Sequence, residues 1–343
     1  MENHDAHTEV HSTLIEPRLM EWVLKPLARR VPSYVAPNQI SAVNIVFALL
    51  AFVLAAIAPS LEPNAALWSR IGSGLCVWAF LVGDCLDGMH ARNTGQTSVF
   101  GEFLDHWLDA LGAPIAAAGL ILTLNLDVYT TIVAVVGAVL VYNCQLVIRH
   151  HTGRFIHPPA SGVDAQFLLG ASLIAAGLAL HQFPRSEPAV GVGVTVFAWI
   201  CVIGTYRNCL FLYERMEKIM LPHLRLVAVL VGLSVPYILG MMSATSYSLL
   251  VCFTSFRING TYVLRSLTRR QYGGMDWAIV AWIVSLLAVN LCFGPTELAY
   301  GVRLEDILPY LACLHMVLLN LVEMVDALPT LRGQTVAGKR VVG

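Results

Sequence analysis

Residues 84–109 read DCLDGMHARNTGQTSVFGEFLDHWLD and place four aspartates in strongly apolar surroundings. If both halves are helical, Asp84 and Asp87 share one helix face, and Asp105 and Asp109 share a face of the next helix. Residues 93–95 supply a turn, so the two helices can fold back on each other. The stretch predicts a helical hairpin that gathers four carboxylates.

Four carboxylates in an apolar region carry a large free-energy cost. Each costs about 2.5–3.5 kcal/mol near a bilayer centre, and neighbouring like charges repel each other. Hard divalent cations offset this cost, and magnesium is usually held by a few carboxylates together with substrate phosphates. We therefore predict one or two Mg²⁺ ions, with Mn²⁺ as a substitute, held by Asp84, Asp87, Asp105 and Asp109. Acidic residues inside a membrane also serve ion coupling in transporters, so that alternative stays open at this point.

Three residues beside the aspartates suggest a ligand pocket. Arg92 lies one helical turn beyond Gly88 on the same face. Gly88 and Gly101 lack a Cβ, so a flat ligand can approach the backbone closely at both positions.

The composition assigns the chain to the polytopic membrane proteins. Of 343 residues, 57% are hydrophobic and only 13% are charged, and the mean hydropathy is +0.69, which is too apolar for a soluble domain. The formal net charge of -1 gives no case for nucleic-acid binding. The eight cysteines form no CxxC pair, so neither a disulfide framework nor a zinc site is predicted.

The hydropathy pattern predicts an all-α fold with about ten transmembrane helices. An amphipathic helix over Leu14 to Val31 is expected to lie in the membrane interface. The ten predicted spans are 39–58, 71–92, 99–124, 128–149, 163–182, 189–208, 224–243, 247–267, 275–294 and 305–326. We divide the chain into an N-terminal tail with the interfacial helix (1–38), a six-helix catalytic core (39–208), and a connector with four C-terminal helices (209–343).

The distribution of basic residues predicts the orientation. With ten spans, most of the 21 Lys and Arg residues fall on the same side as the N-terminus, and only Arg70, Arg185 and Arg303 fall on the other. Basic loops favour the cytoplasm. We therefore expect both termini and the turn at 93–95 to face the cytoplasm, in either a bacterial inner membrane or an endoplasmic reticulum membrane.

The pattern Asp-x2-Asp-Gly-x2-Ala-Arg-x8-Gly-x3-Asp-x3-Asp resembles the signature of the CDP-alcohol phosphotransferases. Its eight positions are Asp84, Asp87, Gly88, Ala91, Arg92, Gly101, Asp105 and Asp109. The segment Gly101 to His106, GEFLDH, is similar to that of the choline and ethanolamine phosphotransferase branch, as is the number of spans. In that branch, glycine usually occupies the place of Trp107, and glutamate is expected where Asp164 stands.

The resemblance implies a reaction and a set of partners. CDP-choline or CDP-ethanolamine would donate its phosphoalcohol to the hydroxyl of diacylglycerol, a membrane lipid, and CMP would leave. The four aspartates would hold two metals. Arg92 would bind phosphate with Asn38 and Arg154, whereas Gly88, Ala91 and Gly101 would line the cytidine pocket.

The resemblance leaves the general base open. His106 lies beside Asp105 in the sequence and would be oriented by Asp164. Asp109 is the rival base.

Two other functions compete with this one. A CDP-diacylglycerol-dependent phosphatidyltransferase would share the core motif but transfer the lipid to a free alcohol, and an ion-coupled transporter would consume no nucleotide. The last four helices carry isolated polar residues, among them Arg257, Asn259, His315, Asn320 and Glu323. Hydrogen bonding between helices is the default role for such residues, and the resemblance also allows a lipid chamber or a homodimer contact there.

Overall fold

The computed structural model describes residues 15–152, 156, 162–183, 188–214, 221–268, 275–293 and 304–333. Within these ranges all regular secondary structure is helical, as predicted. Ten long helices overlap the ten predicted spans, with ends that differ from the prediction by up to eight residues. They are α3 (Pro37–Ile57), α4 (Pro63–Thr94), α5 (Val99–Leu124), α6 (Val128–Thr152), α7 (Gly162–Gln182), α8 (Pro188–Tyr213), α9 (Leu221–Ile238), α10 (Ala244–Thr268), α11 (Trp277–Phe293) and α12 (Leu304–Gly333).

Seven of these helices are long and apolar enough to cross a membrane, namely α3 to α8 and α12, in the part of the chain that the structure describes. Helices α9 and α11 contain the shorter apolar segments His223–Ile238 and Trp277–Cys292. Helix α10 is buried along most of its length and carries Arg257 and Asn259 inside the protein. The prediction of a polytopic, all-α membrane protein is confirmed, whereas spanning by α9, α10 and α11 stays a prediction.

The predicted amphipathic helix is present at the N-terminus. It consists of α1 (Glu16–Leu19), a π-helical turn (Met20–Leu24) and α2 (Lys25–Ala28). Leu24 and Ala28 are buried, whereas Trp22 is 78% exposed. One face therefore packs on the protein and the other faces outward, as expected of an amphipathic helix. Its position in the membrane interface stays a prediction.

Helices α4 and α5 form the predicted hairpin, but its turn begins two residues later than expected. Asn93 and Thr94 belong to α4, and the Thr94 hydroxyl donates to the backbone oxygen of His90 at 2.8 Å. Gly95 ends α4 with φ of 68°, a left-handed conformation that favours glycine. Ser98 caps α5 by accepting a hydrogen bond from the Gly101 N–H at 2.9 Å.

The third helix separates the two arms of the hairpin. Helix α3 packs extensively against both α4 and α5, which touch each other much less. Helix α5 also packs against α10, so it joins the N-terminal helices to the C-terminal ones. Phe103 and Trp107 of α5 contribute to a buried cluster with Phe256 of α10. The aspartates of α5 are thus fixed by packing from both halves of the protein.

The crossing of α4 and α7 depends on Gly74. A Cβ atom at Gly74 would lie 2.6 Å from the backbone oxygen of Gly170 and 2.6 Å from Cγ1 of Ile174. Gly74→Ala is therefore expected to push the two helices apart and to cost about 1–3 kcal/mol, measured as a lower midpoint of thermal unfolding in detergent. Gly193→Ala is the matched control because a Cβ there meets nothing within 4 Å. Equal midpoints for the two variants would contradict the close crossing.

Candidate active site

Three of the four predicted aspartates form a compact cluster. The carboxylates of Asp84 from α4 and of Asp105 and Asp109 from α5 each offer one oxygen, and these oxygens all lie within 4.8 Å of one another. Two oxygens on opposite sides of a Mg²⁺ or Ca²⁺ ion are about 4–5 Å apart. The donor set is made of hard carboxylate oxygens at a spacing that fits one divalent cation.

Asp87 stands beside this trio and is more deeply buried. Its residue is 5% exposed, and its Oδ2 accepts a hydrogen bond from the Ser41 hydroxyl at 2.5 Å. Ser41 comes from α3, the helix between the hairpin arms. The contact fixes the orientation of the Asp87 carboxylate, as outer-shell partners of metal ligands usually do. Metal binding by the four aspartates stays a prediction.

A cavity of about 320 Å³ opens next to the aspartates. Five predicted substrate-binding residues line it, namely Asn38, Gly88, Ala91, Arg92 and Gly101. Its wall is completed by Pro37, Ser41, Asp87, Gln96, Thr97, Ser98, Glu102 and Asp105. Its volume lies at the small end of the range typical of ligand pockets.

The two glycines keep this cavity open. A Cβ atom at Gly88 would lie 3.4 Å from the Arg92 guanidinium, which therefore extends over Gly88. A Cβ atom at Gly101 would lie 3.2 Å from the Asn38 side-chain oxygen and 3.1 Å from the Ser98 hydroxyl. A side chain at Gly101 would crowd these two polar groups, whereas one at Gly88 would make an ordinary contact with the Arg92 guanidinium and fill part of the cavity.

An ion pair next to the cavity has no counterpart in the sequence-based prediction. The Arg149 guanidinium of α6 donates to the Glu102 carboxylate of α5 at 2.5 Å. Arg149 also lies close enough to Asp105 to act on it electrostatically. Glu102 belongs to the quoted motif, but nothing in the linear spacing connects it to Arg149 at the end of another helix. Arg149 is therefore a second positively charged side chain, besides Arg92, near the aspartate cluster.

Two of the predicted catalytic residues, His106 and Asp164, make contacts with different parts of the protein. The Nδ1 atom of His106 lies 3.9 Å from Oδ2 of Asp105, which is an electrostatic contact rather than a hydrogen bond. The Tyr142 hydroxyl donates to the backbone oxygen of His106 at 3.1 Å. Asp164 instead accepts two backbone hydrogen bonds at the start of α1, from Ile15 at 3.1 Å and Glu16 at 3.2 Å. Its predicted role toward His106 stays untested, and Arg154 lies outside the described residues.

Trp107 points into the contact between α5 and α10 and is not among the residues that line the cavity. Its ring lies 4.9 Å from that of Phe256 and 5.8 Å from that of Phe103, measured between centroids. A Cβ atom at Gly260 would lie 2.8 Å from the Trp107 Nε1. The large side chain at this position is therefore accommodated by a glycine of α10.

Comparison with known proteins identifies the family. The profile of the CDP-alcohol phosphatidyltransferases matches residues 34–206, half of the chain and the part that holds the whole aspartate cluster. The chain belongs to the CDP-alcohol phosphatidyltransferase family. The motif-based identification is confirmed at this level.

The chain is similar to several curated proteins of this family. An uncharacterised class-I CDP-alcohol phosphatidyltransferase family protein from Schizosaccharomyces pombe is 24% identical over 222 residues, which are 60% of this chain and 56% of the relative. Human cholinephosphotransferase 1 is 32% identical over 122 residues, 34% of this chain and 29% of the relative. Choline/ethanolaminephosphotransferase 2 from Arabidopsis thaliana is 32% identical over 102 residues, 28% and 26% of the two chains. The matched regions thus span between about a quarter and just over half of these relatives.

Proposed function

We propose that this family member transfers phosphocholine or phosphoethanolamine from a CDP-alcohol to diacylglycerol and releases CMP. The observation that carries the proposal is the trio Asp84, Asp105 and Asp109, with oxygens within 4.8 Å, next to a cavity lined by Gly88 and Arg92. Relatives named as cholinephosphotransferases and choline/ethanolaminephosphotransferases support the choice of head group.

We assign different residues of the site to different parts of the donor. Arg92 and Asn38 both line the cavity, and we assign both to the binding of a phosphate of the pyrophosphate. Gly88, Ala91 and Gly101 offer flat backbone surface to the cytidine. One or two divalent cations, when bound by the aspartates, would neutralise the pyrophosphate and stabilise the departing CMP. Phosphoryl transfer depends mostly on such positioning and charge neutralisation.

The reaction also requires removal of one proton. The hydroxyl oxygen of diacylglycerol forms a bond to the phosphorus that carries the alcohol, and the bond from that phosphorus to the CMP oxygen breaks. The electron pair leaves with CMP, and the hydroxyl proton passes to a base. We assign the base to His106, which lies beside Asp105 at the edge of the cluster, with Asp109 as the competing candidate.

His106→Ala is expected to lower turnover by about 10²–10⁴-fold, the usual contribution of a general base. Binding of the CDP-alcohol should survive because the cavity wall does not include His106. Steady-state CMP release and equilibrium binding of CDP-choline or CDP-ethanolamine measure the two effects separately. Turnover near the wild-type rate would exclude His106 and favour Asp109.

The proposed function is tested by CMP release from the purified protein in detergent with Mg²⁺. CDP-choline and CDP-ethanolamine are offered with diacylglycerol, and CDP-diacylglycerol is offered separately with free alcohols. Release that requires diacylglycerol and one of the first two donors is expected. Release from CDP-diacylglycerol alone would instead identify a phosphatidyltransferase, and no release from any donor would favour an ion-coupled transporter.

We further propose that the site faces the cytoplasm, because with ten spans the turn between α4 and α5 would lie on the side that holds most of the Lys and Arg residues. The membrane would be a bacterial inner membrane or that of the endoplasmic reticulum. Pairing of two copies into a homodimer through the last four helices is also proposed, to be tested by the mass of the detergent-purified protein.

A further inference from the structure

The entry loop, residues 32–36, precedes α3 and is tied to the hairpin of α4 and α5 by two hydrogen bonds. Nε2 of His90 lies 2.9 Å from the Val35 backbone oxygen, and this ring nitrogen carries a hydrogen because a carbonyl oxygen can only accept. The Gln96 side-chain amide donates to the Ser33 backbone oxygen at 3.1 Å. His90 and Gln96 therefore hold the entry loop at two points.

The entry loop leads directly into the wall of the cavity. Its last residue is Ala36, and the next two residues, Pro37 and Asn38, begin α3 and line the cavity. The side-chain oxygen of Asn38 would lie only 3.2 Å from a Cβ atom at Gly101, so Asn38 reaches from α3 to the start of α5. A shift of the entry loop along α4 would therefore displace Asn38, which we assign to a phosphate of the donor.

The start of α3 has no capping side chain at its N-cap position. Ala36 occupies this position, and alanine is a poor N-cap because its methyl group cannot accept from the first N–H groups of the helix. The Gln39 side chain accepts from the Ala36 N–H at 3.0 Å, but it does not replace that acceptor. The first turn of α3 is therefore expected to depend on how the entry loop is held.

His90 is the more buried of the two residues that hold the entry loop. It is 1% exposed, and on α4 it lies between Asp87 and Arg92. Water cannot readily replace a hydrogen bond made by a buried side chain, so loss of the bond to Val35 is expected to have a larger effect than loss of the exposed bond from Gln96. His90 is also not among the residues that line the cavity, so any effect that it has on the donor is indirect.

We propose that His90 is a positioning residue, which together with Gln96 holds the entry loop so that Asn38 faces a phosphate of the donor. Neither His90 nor Gln96 belongs to the eight-position motif. The inference gives His90 no contact with the substrate and no part in proton transfer. It rests on the proposed function, because Asn38 acts on the donor of that reaction.

Two substitutions separate the hydrogen bond of His90 from the volume of its ring. His90→Gln keeps a side-chain N–H donor, whereas His90→Phe keeps an aromatic ring and has no donor. His90→Phe is expected to raise the KM for the CDP-alcohol about tenfold, the usual value of one buried hydrogen bond, and to change kcat less than about threefold. His90→Gln is expected to keep the KM within about threefold of the wild-type value.

A double-mutant cycle with Asn38 tests whether His90 acts through that residue. Asn38→Ala removes the group that His90 positions. In the Asn38→Ala background, His90→Phe is therefore expected to change the KM by less than about twofold, because coupled residues are not additive. A role of His90 in overall stability alone would give the same rise in both backgrounds.

Backbone hydrogen exchange gives a readout that does not need turnover. Exchange over residues 35–41 is expected to become about tenfold faster in His90→Phe and to stay protected in His90→Gln. Ser60→Ala is the matched control, because the Ser60 hydroxyl donates to the Ile57 backbone oxygen at 2.8 Å, just beyond the opposite end of α3. It should change neither the KM nor the exchange of residues 35–41.

A wild-type KM in His90→Phe, or an equal rise of the KM with and without Asn38, would overturn the positioning role. If His90→Phe does not fold, the same cycle is measured with Gln96→Ala, which removes the exposed bond to Ser33, and an equal rise in both backgrounds has the same meaning. Wild-type protein that releases no CMP from any donor would refute the proposed function. Hydrogen exchange would then still decide whether His90 holds the entry loop, and unchanged exchange over residues 35–41 in His90→Phe would overturn that.

Discussion

Asp105→Asn is expected to abolish CMP release, with a loss of about 10³-fold or more, because it removes one charge from the three carboxylates that form the cluster. The carboxamide keeps the size of the side chain but offers a single neutral oxygen to a cation. Asp105 is also the only member of the trio that lines the described cavity, where the proposed donor would bind. The rate is measured as CMP release at saturating Mg²⁺.

The loss should be accompanied by weaker metal binding. Mn²⁺ binding followed by electron paramagnetic resonance gives a readout independent of turnover, and its affinity is expected to fall by about tenfold or more. Asp127→Asn is the matched control, since it makes the same chemical change at an exposed helix start away from the cluster. Unaltered Mn²⁺ affinity in Asp105→Asn would contradict the assignment of Asp105 as a ligand.

Glu323→Ala is expected to destabilise the protein by about 3 kcal/mol, because it removes two charge-assisted hydrogen bonds from a buried guanidinium. The Arg257 side chain of α10 is 8% exposed, and it donates to Glu323 of α12 at 2.8 and 2.9 Å. Asp276 accepts from the Arg257 Nε at 2.9 Å, so one carboxylate remains after the substitution. The change is measured as the midpoint of thermal unfolding in detergent.

Two controls distinguish the loss of this buried ion pair from an unspecific loss of stability. The triple variant Arg257→Met, Asp276→Asn and Glu323→Met removes all three charges and should recover much of the lost stability, since apolar replacement of a buried ion pair is often tolerated. Glu21→Ala breaks the exposed pair with Lys25 and should cost less than about 1 kcal/mol. A triple variant no more stable than Glu323→Ala would show that the incomplete pairing of the Arg257 guanidinium is not the cause.

Helix α10 is not one of the seven long apolar helices, because it carries polar and charged residues at buried positions. Helix α10 is surrounded by other helices and carries Arg257, Asn259 and Thr261 on buried positions. Asn259 accepts a hydrogen bond from Asn143 of α6 at 2.7 Å, and Thr261 donates to Glu323 at 3.0 Å. The helix can therefore hold polar groups that lipid would exclude. Through Trp107 and Phe256 it also supports α5, the helix of Asp105 and Asp109.

The sequence alone determined the helical elements and the composition of the site. Apolar runs and helical periodicity are local properties, so the ten long helices follow from them directly. The spacing of Asp84, Asp105 and Asp109 is equally local within each helix, and a single turn suffices to bring them together. The turn differs slightly from the prediction and begins at Gly95. The Thr94 hydroxyl donates to a backbone oxygen within α4, so Thr94 belongs to the helix.

Only the tertiary structure decided which residues outside the motif support it. The bond from Ser41 to Asp87, the pair of Glu102 with Arg149 and the cap that Asp164 gives to α1 each join different helices. Periodicity states which face of a helix is buried, but it does not state which helix lies against that face. Pairings across 46 to 149 positions of sequence depend on how the whole bundle packs, which is why they emerge only from the folded chain.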